Sequence, residues 1–240
     1  MPIIDPLTYL KNVLAKDFAD KTHLHRSQED GCHSLVITIS RDYGALGELI
    51  AEKLSHSLKV PVYDQEILDQ VAGSAKTDKF QFEAHDEQPS AGLSAFLYSL
   101  VSGNPATLND YRHHLCRVVT ELARKDCIII GRGAHLILVG RPIFRVRIVG
   151  SKVVCAHRIA EEFNIPLQQA EHKVFEINSK RHKAVIDLYS DRIEHCSLEL
   201  AKNFDLVINT DHLPVEGATG IILLAIREAG LCQGIPLCKA

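Results

Sequence analysis

Residues 34–64 read SLVITISRDYGALGELIAEKLSHSLKVPVYD, and their pattern decides the fold. Leu35, Val36, Ile37 and Ile39 form a nearly continuous, mostly β-branched run, the mark of a strand buried on both faces of a parallel sheet. The glycine-containing turn SRDYGALG follows at once. Leu46, Leu49, Ile50 and Leu54 then recur at i, i+3, i+4 and i+8, which is one face of a helix. Val60 to Asp64 is a short second strand ending in an acidic residue. A strand that ends in a glycine turn and opens a helix presents free backbone N–H groups and a positive helix terminus, a geometry that binds phosphate.

Working outward, Thr107 to Lys125 reads as a helix. Leu108, Tyr111, Leu115, Val118, Val119 and Leu122 share its face, and Thr107 is the expected cap. Cys127 to Ile130 is a buried strand ending in Gly131-Arg132-Gly133. Phe144 to Val149 is the next strand. Arg145 and Arg147 alternate there with Val146 and Ile148, so one face is polar or lines a cleft. Ser151 to Phe163 and Pro166 to Ser190 are helices bearing many cations, with Val174, Phe175, Ile177 and Ile186 as the few apolar anchors of the 158–190 stretch. Asp205 to Asn209 is a last strand, and Pro214 to Glu228 a terminal helix. On the other side, residues 5–20 read as an accessory helix followed by a polar linker, and residues 73–106 as a mobile cap. The chain divides into 1–33, a core over 34–230 and a tail over 231–240. About five strands separated by helices predict an α/β fold, a doubly wound parallel sheet with ligands at the carboxyl ends of its strands.

Composition narrows the function classes. The 240 residues, 46% of them hydrophobic, suffice for a substantial core. A formal charge of −3 argues against a protein that coats nucleic acid. No apolar run approaches a membrane span, and the start MPIIDPLTYLKN lacks the marks of a signal peptide, so the expected place is the cytoplasm. Seven cysteines, an odd number, read as mostly buried thiols, with Cys127 and Cys155 in the core. Neither His113-His114 with Cys116 nor His25 with Cys32-His33 has the spacing of a metal site, and none is expected.

The strand ends collect the chemistry: Ser40-Arg41 and the glycine turn, Tyr63-Asp64, Gly131-Arg132 and Gly150-Ser151, joined by Arg158 and Arg181 from the basic helices. Arginines outnumber carboxylates at this edge, and their planar forks suit phosphate oxygens. Structural alternatives stand beside each. Arg41 can cap a helix or pair with Asp42, Asp64 can be an N-cap, and Arg181 can belong to a solvated face. Arg132 is harder to explain that way, because a charge after a buried strand must find a partner.

The segments ITISRDYGALGELIAEKL, PVYDQEIL, HDEQP, IIIGRGAHLIL, FRVRIVGSKVVCAHRIAEE, NSKRHKAV and DLVINTDHLPVEGA follow one another in the order of a known family. Over roughly residues 34–226 the chain resembles the cytidylate kinase-like family, a branch of the nucleoside-monophosphate kinases within the P-loop fold. The resemblance implies a kinase core with a monophosphate-binding cap (73–106) and a basic lid (about 158–190). It implies ATP and Mg2+ as cofactors, and transfer of the ATP γ-phosphoryl group to a pyrimidine nucleoside monophosphate such as CMP or dCMP. Nucleotides are the partners it implies. Gly44, Ala45, Leu46, Gly47, Glu48 and Leu49 would lie where the family's loop wraps the ATP phosphates. Asp64 would stand on the acceptor side, and Arg132 would hold the acceptor phosphate. Arg158 and Arg181 match lid arginines, and Arg41 or Arg181 would supply catalytic charge. Positioning and charge neutralisation do most of such a reaction.

The loop departs from the G-x-x-x-x-G-K-[ST] pattern, in which lysine reaches the phosphates and the hydroxyl ligates magnesium. Aligned on strand, turn and helix, Gly47 takes the lysine position and Leu49 the hydroxyl position, while Glu48 replaces the family's basic residue. Leu46 replaces a glycine and is expected to resist positive φ. Asn178 stands where the lid usually has an aspartate. Two readings follow: an active small-molecule kinase, or a catalytically degenerate nucleotide-binding regulatory module. A Rossmann dinucleotide enzyme is disfavoured, because G-x-G-x-x-G spacing is absent at the first turn.

Overall fold

The computed structural model describes residues 34–64 and 105–231, and only the backbone of residues 105–111 and 114. The N-terminal helix and linker, residues 73–104 of the expected cap, the tail beyond Leu231, and the groupings around His25 and His114 lie outside the described side chains.

The run read as a doubly buried strand is β1 (Val36–Arg41), the middle strand of a wholly parallel sheet. Around it lie β2 (Val62–Tyr63), β3 (Cys127–Ile130), β4 (Ile143–Val149) and β5 (Leu206–Asn209), in the order β2-β3-β1-β4-β5. Ile37 stands opposite Ile128 and Phe144, and Ile39 opposite Ile130 and Val146. These side chains share one face, since successive residues of a strand alternate. The helices are α1 (Gly47–Leu58), α2 (Pro105–Leu122), α3 (Ala134–Ile137), α4 (Lys152–Phe163), α5 (Leu167–Tyr189) and α6 (Val215–Glu228). The isoleucine face packs with α1 through Ile50, Ala51 and Leu54, with α4 through Cys155 and Ile159, and with α6 through Ala218, Ile222 and Ile226. The opposite face carries Val36, Cys127, Ile129 and Ile143 against α2, α3 and the end of α5. Full burial of each such isoleucine contributes about 1.5–3 kcal/mol.

That second face is not wholly apolar. Thr38 and Ser40 stand opposite Arg145 and Arg147. Arg145 donates to the Asp205 carboxylate at 2.9 and 2.7 Å. Arg147 is buried and donates to Asp42 at 2.5 Å and to the Leu198 carbonyl at 3.2 Å. Both arginines of β4 are therefore paired with carboxylates, which gives this face the polar character that the alternation predicts. Beside them His135 is buried, 3.3 Å from the Ser40 hydroxyl and stacked on Phe204. Burial, then Arg145 and Arg147, push its pKa down to about 3, so it is a neutral core histidine.

Two boundaries differ from expectation. The second strand shrinks to Val62–Tyr63. The helix expected to start at a Thr107 cap opens at Pro105, where a missing N–H is harmless, so Thr107 lies inside α2. The basic helix α5 is also better anchored than its sequence suggests. Ala170 and Val174 pack with the isoleucine face, while Ala184, Val185, Leu188 and Tyr189 pack on the other. Phe175 and Ile186, read as anchors, are exposed instead. With each end in a different half of the core, α5 carries its middle past the carboxyl edge of β1.

Candidate functional site

The turn after β1 is fastened from several sides. Asp42 N donates to the Ile148 carbonyl at 2.9 Å, and its carboxylate accepts from Arg147. Tyr43 N donates to Asn178 Oδ1 at 2.8 Å, so the asparagine on α5 serves as a backbone acceptor. Arg158 donates to the Gly44 carbonyl at 3.2 Å and to the Thr210 carbonyl at 2.7 Å. Gly44 has φ +82, and a Cβ there would stand 2.8 Å from the Cys155 carbonyl oxygen. Leu46 adopts the left-handed conformation at φ 62 as the N-cap of α1, contrary to the expectation that it would resist it. That costs roughly 1–2 kcal/mol, which the surrounding hydrogen bonds hold in place. An apolar cap leaves the first amides of α1 without a side-chain partner from Leu46, at the positive end of the helix.

Arg41, the last residue of β1, crosses from this turn to the next. A Cβ on Gly47 would lie 2.5 Å from Arg41 Cβ, and one on Gly131 would lie 2.8 Å from its Nη1. Both glycines thus make a slot for one arginine. Arg41 Nε donates to Glu48 Oε1 at 2.8 Å, and Nη2 to Asp64 Oδ2 at 3.1 Å. Arg132 Nη2 stands 3.7 Å from Asp64 Oδ1. Arg181, from the middle of α5, donates to the Arg41 carbonyl at 3.2 Å, and its Nη2 lies 3.6 Å from Glu48 Oε1. Its guanidinium also sits 5.8 Å from the centre of the Tyr43 ring. Together with Arg158 and Glu162, these side chains put four guanidinium groups and three carboxylates on the border of one cleft of about 440 Å³.

Exposure separates the members. The Arg41, Arg132 and Arg181 side chains are 10%, 9% and 15% exposed, whereas Glu48 is 51% exposed. Burial would raise the Glu48 carboxyl, but Arg41 and Arg181 outweigh it and hold the pKa below its ordinary value. Burial, reinforced by Arg41, lowers Arg181 to about 9, which leaves it charged at neutral pH.

The structure thus gathers Arg41, Gly44, Leu46, Glu48, Leu49, Asp64, Arg132, Arg158 and Arg181 around one cleft. Ala45 is buried beneath it, and Gly47 underlies Arg41. Arg158, expected to bind cofactor, directs its guanidinium at Gly44 and Thr210 and serves as a strut for the turn. Asp42 pairs with Arg147 rather than Arg41, and Arg181 is no part of a solvated face. Gly47 was aligned with the pattern's lysine, but it opens α1 and takes the pattern's last glycine instead, which moves the lysine position to Glu48 and leaves the hydroxyl position on Leu49. Sequence reasoning missed Asp42, Arg147 and Thr210 as holders of the turn. Asp42 was visible only as a neighbour of Arg41.

A model of the cytidylate kinase-like family matches residues 36–212. The chain belongs to the cytidylate kinase-like family. It is thus a kinase-like, nucleotide-binding protein built on a doubly wound, five-stranded parallel sheet. No curated protein sequence matches it. Among solved structures, an uncharacterized protein from Eubacterium ventriosum superposes with a TM-score of 0.59 at 20% identity, covering 80% of this chain and 98% of that one. TT1252 from Thermus thermophilus gives 0.45 at 16% identity, with 80% and 97% covered. Dephospho-CoA kinase from Campylobacter jejuni gives 0.36 at 12%, with 82% and 97% covered. Among the described residues no helix is long and apolar enough to cross a membrane.

Chemistry of this family's kind uses a nucleotide and Mg2+. The helix start and the arginines fit phosphate oxygens. The donor set does not fit magnesium: Leu49 stands where a hydroxyl would ligate it, and Asp42, Glu48 and Asp64 each hold an arginine. Among the described residues no group of three or more His, Cys, Asp or Glu side chains could hold a metal ion.

Proposed function

We propose that the protein is a cytosolic nucleoside-monophosphate kinase-type phosphotransferase, moving the γ-phosphoryl group of ATP to CMP, dCMP or a similar nucleoside monophosphate. The observation that carries this reading is the convergence of Arg41, Arg132 and Arg181 on one cleft beside a formed phosphate turn. Arg132 and Arg41 would hold the acceptor phosphate near Asp64. Arg181 would neutralise charge on the transferring group while the bond to the β-phosphate oxygen breaks and one to an acceptor oxygen forms. Arginine is suited to this because its fork can bind two oxygens at once and stays charged.

The contacts of Glu48 favour a second reading, a nucleotide-binding module without turnover. The carboxylate stands where the lysine of a Walker loop belongs and holds two of the three arginines. A coupled ADP-release assay over a panel of nucleoside monophosphates, with and without magnesium, separates the two. ADP release dependent on CMP or dCMP supports the kinase, and binding without release leaves the module. Arg132→Ala should weaken CMP binding by roughly 1.5–3 kcal/mol in titration calorimetry, the range for a hydrogen bond to a charged group. Equal affinities would return Arg132 to a structural role.

A further inference from the structure

We infer that Glu48 is a specificity-determining residue that makes the cleft discriminate by phosphate-chain length, because its carboxylate occupies the place of a phosphate at the start of α1. The inference rests on the nucleotide reading above and says which part of a nucleotide the site resists.

Glu48 is the second residue of α1. Its Oε1 is 2.8 Å from Arg41 Nε and 3.6 Å from Arg181 Nη2, and its own backbone amide also stabilises the charge. An arginine pair plus a helix-start amide is the donor set that an incoming phosphate would use. The Leu46 cap offers these amides no oxygen, so Glu48 is the anion that the helix start has. Arg41 Nε has one N–H, and Glu48 and a phosphate oxygen cannot both take it in line.

The other end of the cleft is arranged differently. Asp64 takes Arg41 Nη2 at 3.1 Å and stands 3.7 Å from Arg132 Nη2, so it uses a different nitrogen of Arg41 from the one Glu48 holds. A single phosphate group bound between Arg41 and Arg132 competes with Asp64 for those nitrogens, and leaves the Glu48 contacts with Arg41 Nε and Arg181 intact. A di- or triphosphate reaching along the turn to the amides of α1 meets the Glu48 carboxylate, and like charges at contact repel. It enters fully only when Glu48 turns away, and the 51% exposure of that side chain gives it a route to solvent. The arginines stay in place meanwhile, since Gly47 and Gly131 hold the Arg41 slot and α5 is packed at both ends.

The test is titration calorimetry of the full chain and of its Glu48→Gln variant with inorganic phosphate, pyrophosphate and tripolyphosphate, at fixed ionic strength without metal. Glu48→Gln keeps the size and removes the charge. Its affinity for tripolyphosphate should rise about tenfold or more, the scale of one close charge interaction, while phosphate changes by no more than about twofold. Pyrophosphate should fall between them. An equal gain for all three anions would overturn the inference, because that is only a change in net charge. A loss of affinity would overturn it too, and would make Glu48 a positioning residue for Arg41 and Arg181. Glu48→Ala, with its melting curve compared to the parent's, guards against a folding artefact and should show the same ordering. Phosphate bound equally by parent and variants, without any chain-length effect, sinks this inference alone. If no anion binds to any of them, the nucleotide reading falls with it.

Discussion

The two turns that border the cleft use one backbone device and opposite side-chain chemistry. Each follows a buried strand, each puts a non-glycine residue at positive φ, and each opens a helix: Leu46 at φ 62 before α1, and Arg132 at φ 57 before the short α3. The first turn ends on a carboxylate, Glu48; the second presents a guanidinium, Arg132. Their fastening differs as well. The first is held by side chains from β4, α4 and α5, through Arg147, Arg158 and Asn178. The second is held chiefly by Tyr189, whose hydroxyl donates to the Arg132 carbonyl at 2.9 Å while its ring fills the space beside Gly133. Backbone shape alone therefore does not say what a strand–turn–helix binds. The charge placed beside the helix start does, and here the two turns balance each other through Arg41.

The largest effect is expected where the first turn is rooted. Asp42→Ala leaves Arg147, buried beneath the sheet, without its carboxylate. Breaking a buried pair by removing one partner costs roughly 3–5 kcal/mol, and a denaturant titration should show a loss of that size. Adding Arg147→Met to Asp42→Ala should recover much of it, since an apolar residue of similar reach no longer strands a charge. No recovery would mean that the Asp42 backbone turn, and not the pair, carries the stability.

The second turn should break more gently and by a different route. In Gly133→Ala the new Cβ would stand 2.4 Å from Tyr189 Cε2, at φ +66. Tyr189 is 3% exposed and packed in the core, so its ring cannot simply turn aside. Overpacking together with a left-handed alanine should destabilise the fold by about 2–3 kcal/mol. CMP affinity should fall as well, because the Tyr189 hydroxyl positions the carbonyl of Arg132. Unchanged stability would show that this turn is soft, and that its likeness to the first is only in outline.

How much of this could be read from the chain depends on the range of the interactions. The centre of the sheet was legible, because Ile37 and Ile39 needed apolar neighbours on both sides and the period of the run said so. The gathering of Arg41, Asp64 and Arg132 was legible in position, since the topology of a parallel sheet sends strand ends to one edge, whereas Arg181 reaches that edge from the middle of α5. Their pairing was not. Asp42 with Arg147 and Tyr43 with Asn178 join residues 105 and 135 positions apart, and nothing local marks either pair. Leu46 was misread because local sterics disfavour what tertiary hydrogen bonds impose. Arg158 looked like a ligand-binding residue for the opposite reason: its charge is visible in sequence, and the carbonyls of Gly44 and Thr210 that absorb it are not. Gly47 was read as part of a loop around the ATP phosphates, whereas it and Gly131 make room for an arginine.

The smallest effect tests the charge balance between the turns directly, by pH. Arg41 and Arg181 hold the Glu48 carboxyl below its ordinary pKa of 4.5, even though burial works against them. A carboxyl lowered in the folded state adds stability that is fully present above its unfolded pKa. That contribution is lost as pH falls through the lowered folded value. The side chain is half exposed, so solvent screening limits the contribution to roughly 0.2–1 kcal/mol. Glu176, Asp211 and Glu216 are also lowered and shape the same acid limb, so the parent's curve alone cannot isolate Glu48. The difference between the parent and Glu48→Gln can. At pH 7 the parent should be the more stable by that small amount, and the two stabilities should converge as the solution is acidified below pH 4.5. Curves that stay parallel throughout would mean that Glu48 draws no net stability from the two arginines. The carboxylate would then sit at the helix start as a bystander, and the two turns would be independent of each other.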